Sequence, residues 1–444
     1  MSRKFARRAG LGVLVWSLVG ASSSVSRAQE PVPLQAVLEH ADAHAPLLIT
    51  ARARLEEGAA ARRGAERLLS DPLYVELGGG PRIADGTGSD FDLVVALSQP
   101  VEVGGERAVR MDAADRLSDR RGAEFEAIRW QVHREIHFAF HRAIEARARL
   151  EAERGWLAFT ERLFEIAHGR ESAGDVGPLE LAVAEAELAG VRQRFVEAEA
   201  RSLDARLAIA EIAGWSASSP PVPLGGLDAP GAMPDVDELL TRAQAENPLF
   251  RALEAAVAEE RALAQLADRE AIPTLDVGLT FAREGSAGSP ANYIGMLVLG
   301  VAIPVWNPNS AEREAARARV SVAEAELEAL RSAIDARVRR AAASVLAAAE
   351  RVRIFQDDVL PGFERNLSLL EHAFELGELD ALEVGTATRR LLEVQANALD
   401  AFAEYHRALA ALEAEVGAEV ITDEAHGPRD AEHDDIGEST EGSQ

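Results

Sequence analysis

The segment HREIHFAFH sets His133, His137 and His141 four residues apart. On a helix this spacing lines imidazoles along one stripe, so at least two can reach a common metal ion, and zinc chemistry is the first possibility to weigh. The zinc-protease pattern is absent, because Glu135 stands midway between two histidines instead of directly after the first. Val132, Ile136 and Phe140 form the neighbouring apolar set, and a polar flank to that set explains the same spacing without any metal. His40 and His44 make a second such pair. Other reaction classes fall away on residue type. There is no cysteine and the only lysine is Lys4, so disulfides, a lipidated cysteine, a P-loop, a Schiff-base lysine and a Ser-x-x-Lys pair are all excluded from the bulk of the chain. No enzyme and no cofactor are expected.

A second group of polar residues lies at two glycine-broken turns. SAGDVGPLEL contains Gly174, Asp175, Val176 and Gly177, and GELDALEV contains Gly377, Glu378, Leu379 and Asp380. Gly174 and Gly377 suit the left-handed residue that ends a helix, and Pro178 suits the first turn of the next one. Asp175, Glu378 and Asp380 then read as carboxylates near helix N-termini. The formal net charge of -27 argues against binding a phosphate backbone, so nucleic acid is not expected as a partner.

The elements that must position these turns are duplicated. Gly174 aligns with Gly377, Leu179 with Leu382, Pro46 with Pro248 and Pro100 with Pro304, at a nearly constant separation. Each half reads helix, two strands, long helix, turn, helix. We place the first repeat at residues 29–212, a Pro/Gly-rich linker at 213–233 and the second repeat at 234–420. Residues 421–444 are acidic and aperiodic, which predicts a disordered tail; His426 and His433 within it offer only weak metal affinity. At the other end, MSRKFARR, an apolar run and small residues closing on Ser26 and Ala28 predict a cleaved signal peptide at 1–28, the apolar run being too short to span a bilayer.

Four short strands are expected at 73–80, 91–99, 274–282 and 293–303. Phe91, Leu93, Val95 and Leu97 alternate onto one face of the second strand, and Tyr293, Leu297, Leu299 and Val301 are the corresponding candidates in the fourth. These lengths suit a tilted membrane-crossing strand, although alternation alone fits a soluble hairpin equally well. The helices carry more weight, because low aromatic content (5%) and abundant Ala, Glu, Arg and Leu favour long packed rods. Ala316, Val320, Ala323, Leu327, Leu330, Ile334, Val338, Ala341, Val345, Ala348 and Val352 step by threes and fours as a coiled-coil seam with one stutter. Ser310 to Leu376 would reach roughly 100 Å if continuous, with Pro361 able to kink it. Arg107 to His168 is its counterpart, and single helices are expected near 33–70, 178–212, 234–270 and 382–416. Rods that are apolar on two sides, and a sheet with two open edges, both call for closure by several copies of the chain.

Over nearly the whole mature region the sequence resembles the TolC family of outer-membrane efflux proteins. The resemblance is carried by LSQPVEVGGERAVRMDAADRL (97–117), VAIPVWNPNSAEREAARARVSVAEAEL (301–327) and the stretch from Leu360 to Glu413. The Gln-Pro-x-Glu-x-Gly-Gly start is most similar to the CzcC-type branch associated with heavy-metal efflux. The resemblance implies a homotrimer of mainly α architecture with a small β part. In it the long coiled-coil-like helices form a periplasmic α-barrel, and four strands per chain build a twelve-stranded barrel in outer-membrane lipid. It further implies that the two glycine turns form the periplasmic tip, where the channel gates and meets a periplasmic adaptor (membrane fusion protein) and an inner-membrane pump, possibly of RND type. The linker would wrap the outside at mid-height, and Asp175, Glu378 and Asp380, repeated threefold, would form rings favouring cations. Within this pattern the first tip carries Glu171 where the second carries Phe374. The alternative of another class is a soluble periplasmic coiled-coil adaptor, in which the strands are hairpins of a small domain.

Overall fold

The computed structural model describes residues 30–84, 88–227, 229–285, 290–303 and 309–420, so the expected signal peptide and acidic tail lie outside them. Proline makes the first divisions. The residue before a proline is pushed out of the helical region, while the proline itself suits the first turn of a helix. Ala45 (ψ 128) therefore separates α1 (Leu34–His44) from α2 (Pro46–Ala65), and Asn247 (ψ 116) separates α5 (Val236–Glu246) from α6 (Pro248–Arg269). The single helices expected near 33–70 and 234–270 are corrected accordingly: each is two helices, broken at Pro46 or Pro248.

Between these come β1 (Tyr74–Ala84), β2 (Gly88–Val101), α3 (Glu106–Ala173) and α4 (Pro178–Ala213). The second half repeats the order with β3 (Leu275–Glu284), β4 (Asn292–Val301), α7 (Ser310–Ile354), a π-helical segment at Phe355–Val359, α8 (Leu360–Glu375) and α9 (Ala381–Val416). At 1.5 Å per residue, the 68 residues of α3 extend roughly 100 Å away from the sheet.

The four strands form one antiparallel sheet in the order β1-β2-β3-β4, and the β2–β3 pairing joins the two halves. α3 is flanked by α2 and α4 on one hand and by α6 and α9 on the other, while α7 packs against α5, α6 and α9. The seam of α7 buries Ala323, Leu327, Leu330, Ile334, Val338, Val345, Ala348 and Val352 as expected; at the stutter it passes through Ala342, with Ala341 only partly covered.

Both halves are closed by the same glycine contact. Gly214 (φ 70) ends α4 so close to the α1–α2 break that an added Cβ would lie 2.2 Å from the His44 carbonyl oxygen. Gly417 (φ 82) ends α9 against the α5–α6 break, where a Cβ would meet the Asn247 Cα at 2.4 Å. Left-handed backbone and absence of a side chain are required together at each position.

The linker is held as a strap. Val32 N–H donates to Val222 O (2.7 Å) and Leu224 N–H to Val32 O (2.9 Å). Arg206 donates to Pro220 O (2.6 Å) and Pro221 O (3.2 Å), and Arg147 to Pro223 O and Gly225 O, so guanidinium groups satisfy carbonyls that the prolines leave without a helical partner.

Candidate functional site

Strand register decides what the sheet offers. Residues directly opposite in an antiparallel pair project to the same face. Leu97 pairs with Val75 and Leu279, and Leu279 with Leu297; Val95 pairs with Leu77 and Phe281; Leu93 pairs with Arg283, which pairs with Tyr293. All eight strand residues singled out from the sequence, Phe91, Leu93, Val95, Leu97, Tyr293, Leu297, Leu299 and Val301, consequently lie on one face. Val75, Leu77, Ile83, Leu275, Val277, Leu279 and Phe281 extend it, and Gln99 and Arg283 are its polar members. The Leu-x-Val-x-Leu-x-Phe alternation of β3 carried that signal in the sequence, whereas glycines at 78, 79 and 80 obscure it in β1. The opposite face mixes Glu76, Arg82, Asp92, Ser98, Asp276 and Thr280 with Tyr74, Val94, Ile294, Met296 and Val298, and on it Arg82 is bonded to Asp92 (2.9 Å) and lies 3.6 Å from Glu284.

The apolar face is open: Leu77 is 73% exposed and Leu297 67%. Strands of 10 to 14 residues carrying a contiguous exposed apolar surface match the thickness of a bilayer core. Among the described residues the outer edges of β1 and β4 take no partner, and no helix is long and apolar enough to cross a membrane.

At the far end of the helices stand the two turns. α3 stops at Gly174 (φ 82), with the Asp175 amide returning to Arg170 O (2.9 Å); α8 stops through Gly377 (φ 74), with the Glu378 amide returning to Ala373 O (2.9 Å). Each is the six-residue closure of a helix C-terminus. The restarts differ. Gly177 begins α4 without a side-chain cap and leaves Pro178 to initiate it, so Asp175 is an exposed carboxylate outside the cap position. Asp380 begins α9 with a full capping box: its Oδ1 accepts from Glu383 N (2.7 Å), and Glu383 Oε2 accepts from Asp380 N (3.0 Å). Glu378 is exposed and Leu379 half-buried, as is Val176.

The structure adds a contact that the sequence did not announce. Arg170 lies 3.3 Å from Glu180 on α4, donates to Phe374 O on α8 (3.4 Å) and places its guanidinium 5.4 Å from the Phe374 ring centre. One cation thereby joins three helices at the tip. Phe374 is 1% exposed, within a cluster that includes Trp156, Phe159, Leu163, Val191 and Val384. Arg162–Glu371 (2.8 Å) and Trp156 Nε1–Gln395 Oε1 (2.6 Å) tie the same hairpins farther up.

The histidine stripe does not converge on one point. His133 Nε2 meets Asp42 Oδ1 (2.8 Å), His137 Nε2 lies 3.5 Å from Glu419 Oε1, and His141 stacks on His406 of α9 with ring centres 4.2 Å apart. Parallel stacked rings cannot both direct an in-plane lone pair at one ion. Among the described residues no group of three or more His, Cys, Asp or Glu side chains is placed to hold a metal, so the geometry of His133, His137 and His141 favours the polar flank over the metal alternative weighed beside it. Asp42 is instead an ion-pair anchor: the Arg129 guanidinium (2.7 Å) holds its carboxyl below the ordinary value against the opposing effect of burial, with His133 adding to the lowering. Burial, followed by the proximity of His406 and His137, pushes His141 down to about 3, so it is neutral at ordinary pH. His40 and His44 stack on each other, and His40 also packs against Trp215.

Comparison with known proteins agrees with this geometry. The family model described as outer membrane efflux protein matches residues 37–215 and 239–418, one segment in each half. The cobalt-zinc-cadmium resistance protein CzcC of Cupriavidus metallidurans is 26% identical, covering 72% of this chain and 76% of that protein. The nickel-cobalt-cadmium resistance protein NccC of Alcaligenes xylosoxydans is 24% identical, covering 75% of this chain and 74% of that one. Among solved structures, the outer-membrane channel OprN shares the fold, with a TM-score of 0.69 at 19% identity over 87% of this chain and 90% of that one.

Proposed function

Because the chain belongs to the outer membrane efflux protein family, we propose that three copies assemble into the outer-membrane conduit of a tripartite efflux system. The sheet carries this reading: one mainly apolar face, an opposite face that holds most of the charged side chains, and, among the described residues, two edges without a partner at the end of rods roughly 100 Å long. Lipid does not tolerate unpaired backbone donors and acceptors, and joining β4 of one copy to β1 of the next removes both edges at once. The polar face then lines a water-filled passage and the apolar face meets lipid. The alternative of a soluble adaptor would leave that apolar face in water.

At the other end the turns containing Gly174, Asp175, Val176, Gly177, Gly377, Glu378, Leu379 and Asp380 would meet a periplasmic adaptor, which links the conduit to an inner-membrane pump. Leu179 (78% exposed) and Leu382 (61%), equivalent in the two repeats, supply matching apolar contacts there. The conduit is passive, with energy and selection supplied upstream. Heavy-metal cations are the cargo best supported, by the relatedness to CzcC and NccC and by the exposed carboxylates Asp175 and Glu378 at the tip. The test is single-channel recording of detergent-purified protein in planar bilayers, with its mass from light scattering. Trimers that open cation-selective pores are expected; a soluble, non-conducting monomer would overturn the proposal.

A further inference from the structure

The mixed face of the sheet holds two features that the described chain does not cover. β1 carries no side chain at Gly78 and Gly80, and a Cβ placed at either would have no atom within 4 Å. On the same face β4 carries Ile294, Met296 and Val298, with Met296 48% and Val298 44% exposed. A strand apolar on both faces reads as one covered on both. Glycines at a sheet edge, in turn, are shielded by a large side chain from the next strand. The mainly apolar face shows this within the chain: a Cβ at Gly79 would meet the Phe91 ring at 3.1 Å, and one at Gly295 would meet the Phe281 ring at 3.7 Å.

If three copies close the sheet as proposed above, β4 (10 residues) lies along β1 (11 residues) of the next copy. Barrel geometry bounds the register. Across one copy the direct partners run from Leu77 to Val95, Phe281 and Gly295. With Gly295 opposite Pro81 of the next copy, the strands tilt by roughly 35° to the barrel axis; with Gly295 opposite Ile83, they tilt by roughly 46°. Opposite Gly79 the tilt is only roughly 19°, well below the about 35–45° of membrane barrels. An offset of one residue would turn the apolar face inward. In both allowed registers Val298 stands directly opposite a bare glycine of the next copy, Gly78 in the first and Gly80 in the second. Met296 is then directly opposite Gly80 or diagonal to it, within reach in either case.

From these bounds we infer that Val298 and Met296 cover the bare glycines of β1 in a second copy of this chain. β4 has no charged residue to deter pairing, and its row of large side chains supplies what β1 lacks. Side-chain size thereby fixes the seam together with the backbone hydrogen bonds, which alone specify register weakly in a glycine-rich strand.

The absence of native cysteine makes a direct test possible in the full-length chain. Val298→Cys is combined with Gly78→Cys, with Gly80→Cys, or with Leu77→Cys, whose thiol lies on the other face of β1. In detergent-purified trimers, cross-linking between chains by a short thiol reagent should be about tenfold faster for at least one glycine pair than for 298/77, through the higher effective concentration of facing thiols. A size exchange gives a second readout. Gly78→Leu with Gly80→Leu should lower the temperature at which trimers dissociate, and adding Val298→Ala and Met296→Ala should recover most of the loss. No preference for either glycine pair, a dissociation temperature that the leucines leave unchanged, or a loss that the alanines do not recover would each overturn the inference and leave the conduit standing. An unaltered chain that stays monomeric in light scattering would overturn both.

Discussion

The two tip hairpins, α3–α4 and α8–α9, are built on one sequence pattern and end in the same left-handed glycine, yet they are made rigid by different means. α3 runs unbroken for 68 residues, and its partner α4 starts on an uncapped glycine. The equivalent rod of the second half passes through the π segment at Phe355–Val359 before α8, and its partner α9 starts on a capping box. Contacts between them are just as unequal. The first hairpin reaches out with Arg170; the second receives it on Phe374, which stands where the first has Glu171. Duplication thus preserved the outline of the hairpin and divided the tasks: the first is a continuous strut, and the second is locally strong at its turn and loosened higher up. If the tip opens, the second hairpin is the part built to move about a fixed first.

The largest test of this division is at the unequal pair. Phe374→Ala removes a fully buried aromatic ring and should cost about 3–5 kcal/mol of stability. Glu171→Ala, at the matching position, should change it by less than about 0.5 kcal/mol. Thermal melts of the detergent-solubilised protein would measure both, and similar losses would show that the hairpins are energetically alike. Next in size is the seam higher up, where His141 of the first half stacks on His406 of the second. The folded protein holds the His141 pKa near 3 against an ordinary 6.5, so the unfolded state binds the extra proton between these values. Stability is therefore complete above pH 6.5 and falls as pH drops toward 3, with a slope of at most about 1.4 kcal/mol per pH unit from this group. His141→Gln should flatten that slope, and an unchanged pH profile would locate the acid sensitivity elsewhere.

A third, smaller difference concerns the restarts. Asp380→Ala removes the capping box and should cost about 1 kcal/mol, with faster amide exchange in the first turn of α9. Gly177→Ala removes no side-chain cap, and the poorer cap preference of alanine is opposed by the smaller unfolded-state entropy at an ordinary φ of -85, so the net change at the start of α4 should be about 0.5 kcal/mol or less. Equal effects would mean that Pro178 alone does not suffice to begin α4.

What the sequence revealed follows from how local each signal is. The strand pairs, the long helices, the left-handed Gly174 and Gly377 and the initiating Pro178 were legible because each depends on the chemistry of a few adjacent residues. The breaks at Pro46 and Pro248 were equally local, but the apolar period continues across both prolines and masked them. The Arg170–Phe374 contact and the His141–His406 stack join residues more than 200 positions apart, and nothing in either segment alone specifies the partner. The histidine stripe left two readings open for the same reason: its spacing fits a metal or a polar flank, and only the distant partners Asp42, Glu419 and His406, which draw the three rings apart, favour the flank.

The smallest expected effect concerns the loosened segment itself. A helix loses the bond from residue 361 to the carbonyl of residue 357 when 361 is proline, because the ring nitrogen carries no hydrogen. The π turn at Phe355–Val359 ends one residue short of this proline, at the point where the regular ladder is interrupted, and an extra residue in the turn is one way for the helix to accommodate the lost bond. Pro361→Ala returns the donor, so the π turn loses its cause and the segment should relax toward ordinary α-helix, changing global stability by no more than about 1 kcal/mol. Hydrogen exchange reads the outcome locally: amides at 355–362 should become more protected, while the matching stretch of α3 stays as it was. The same variant bears on gating. If the second hairpin moves about this segment, straightening it should lower the open probability of single channels without altering their conductance when open. Slower exchange with unchanged opening would leave the π turn as a response to proline and place the moving joint at the Arg170 contact instead.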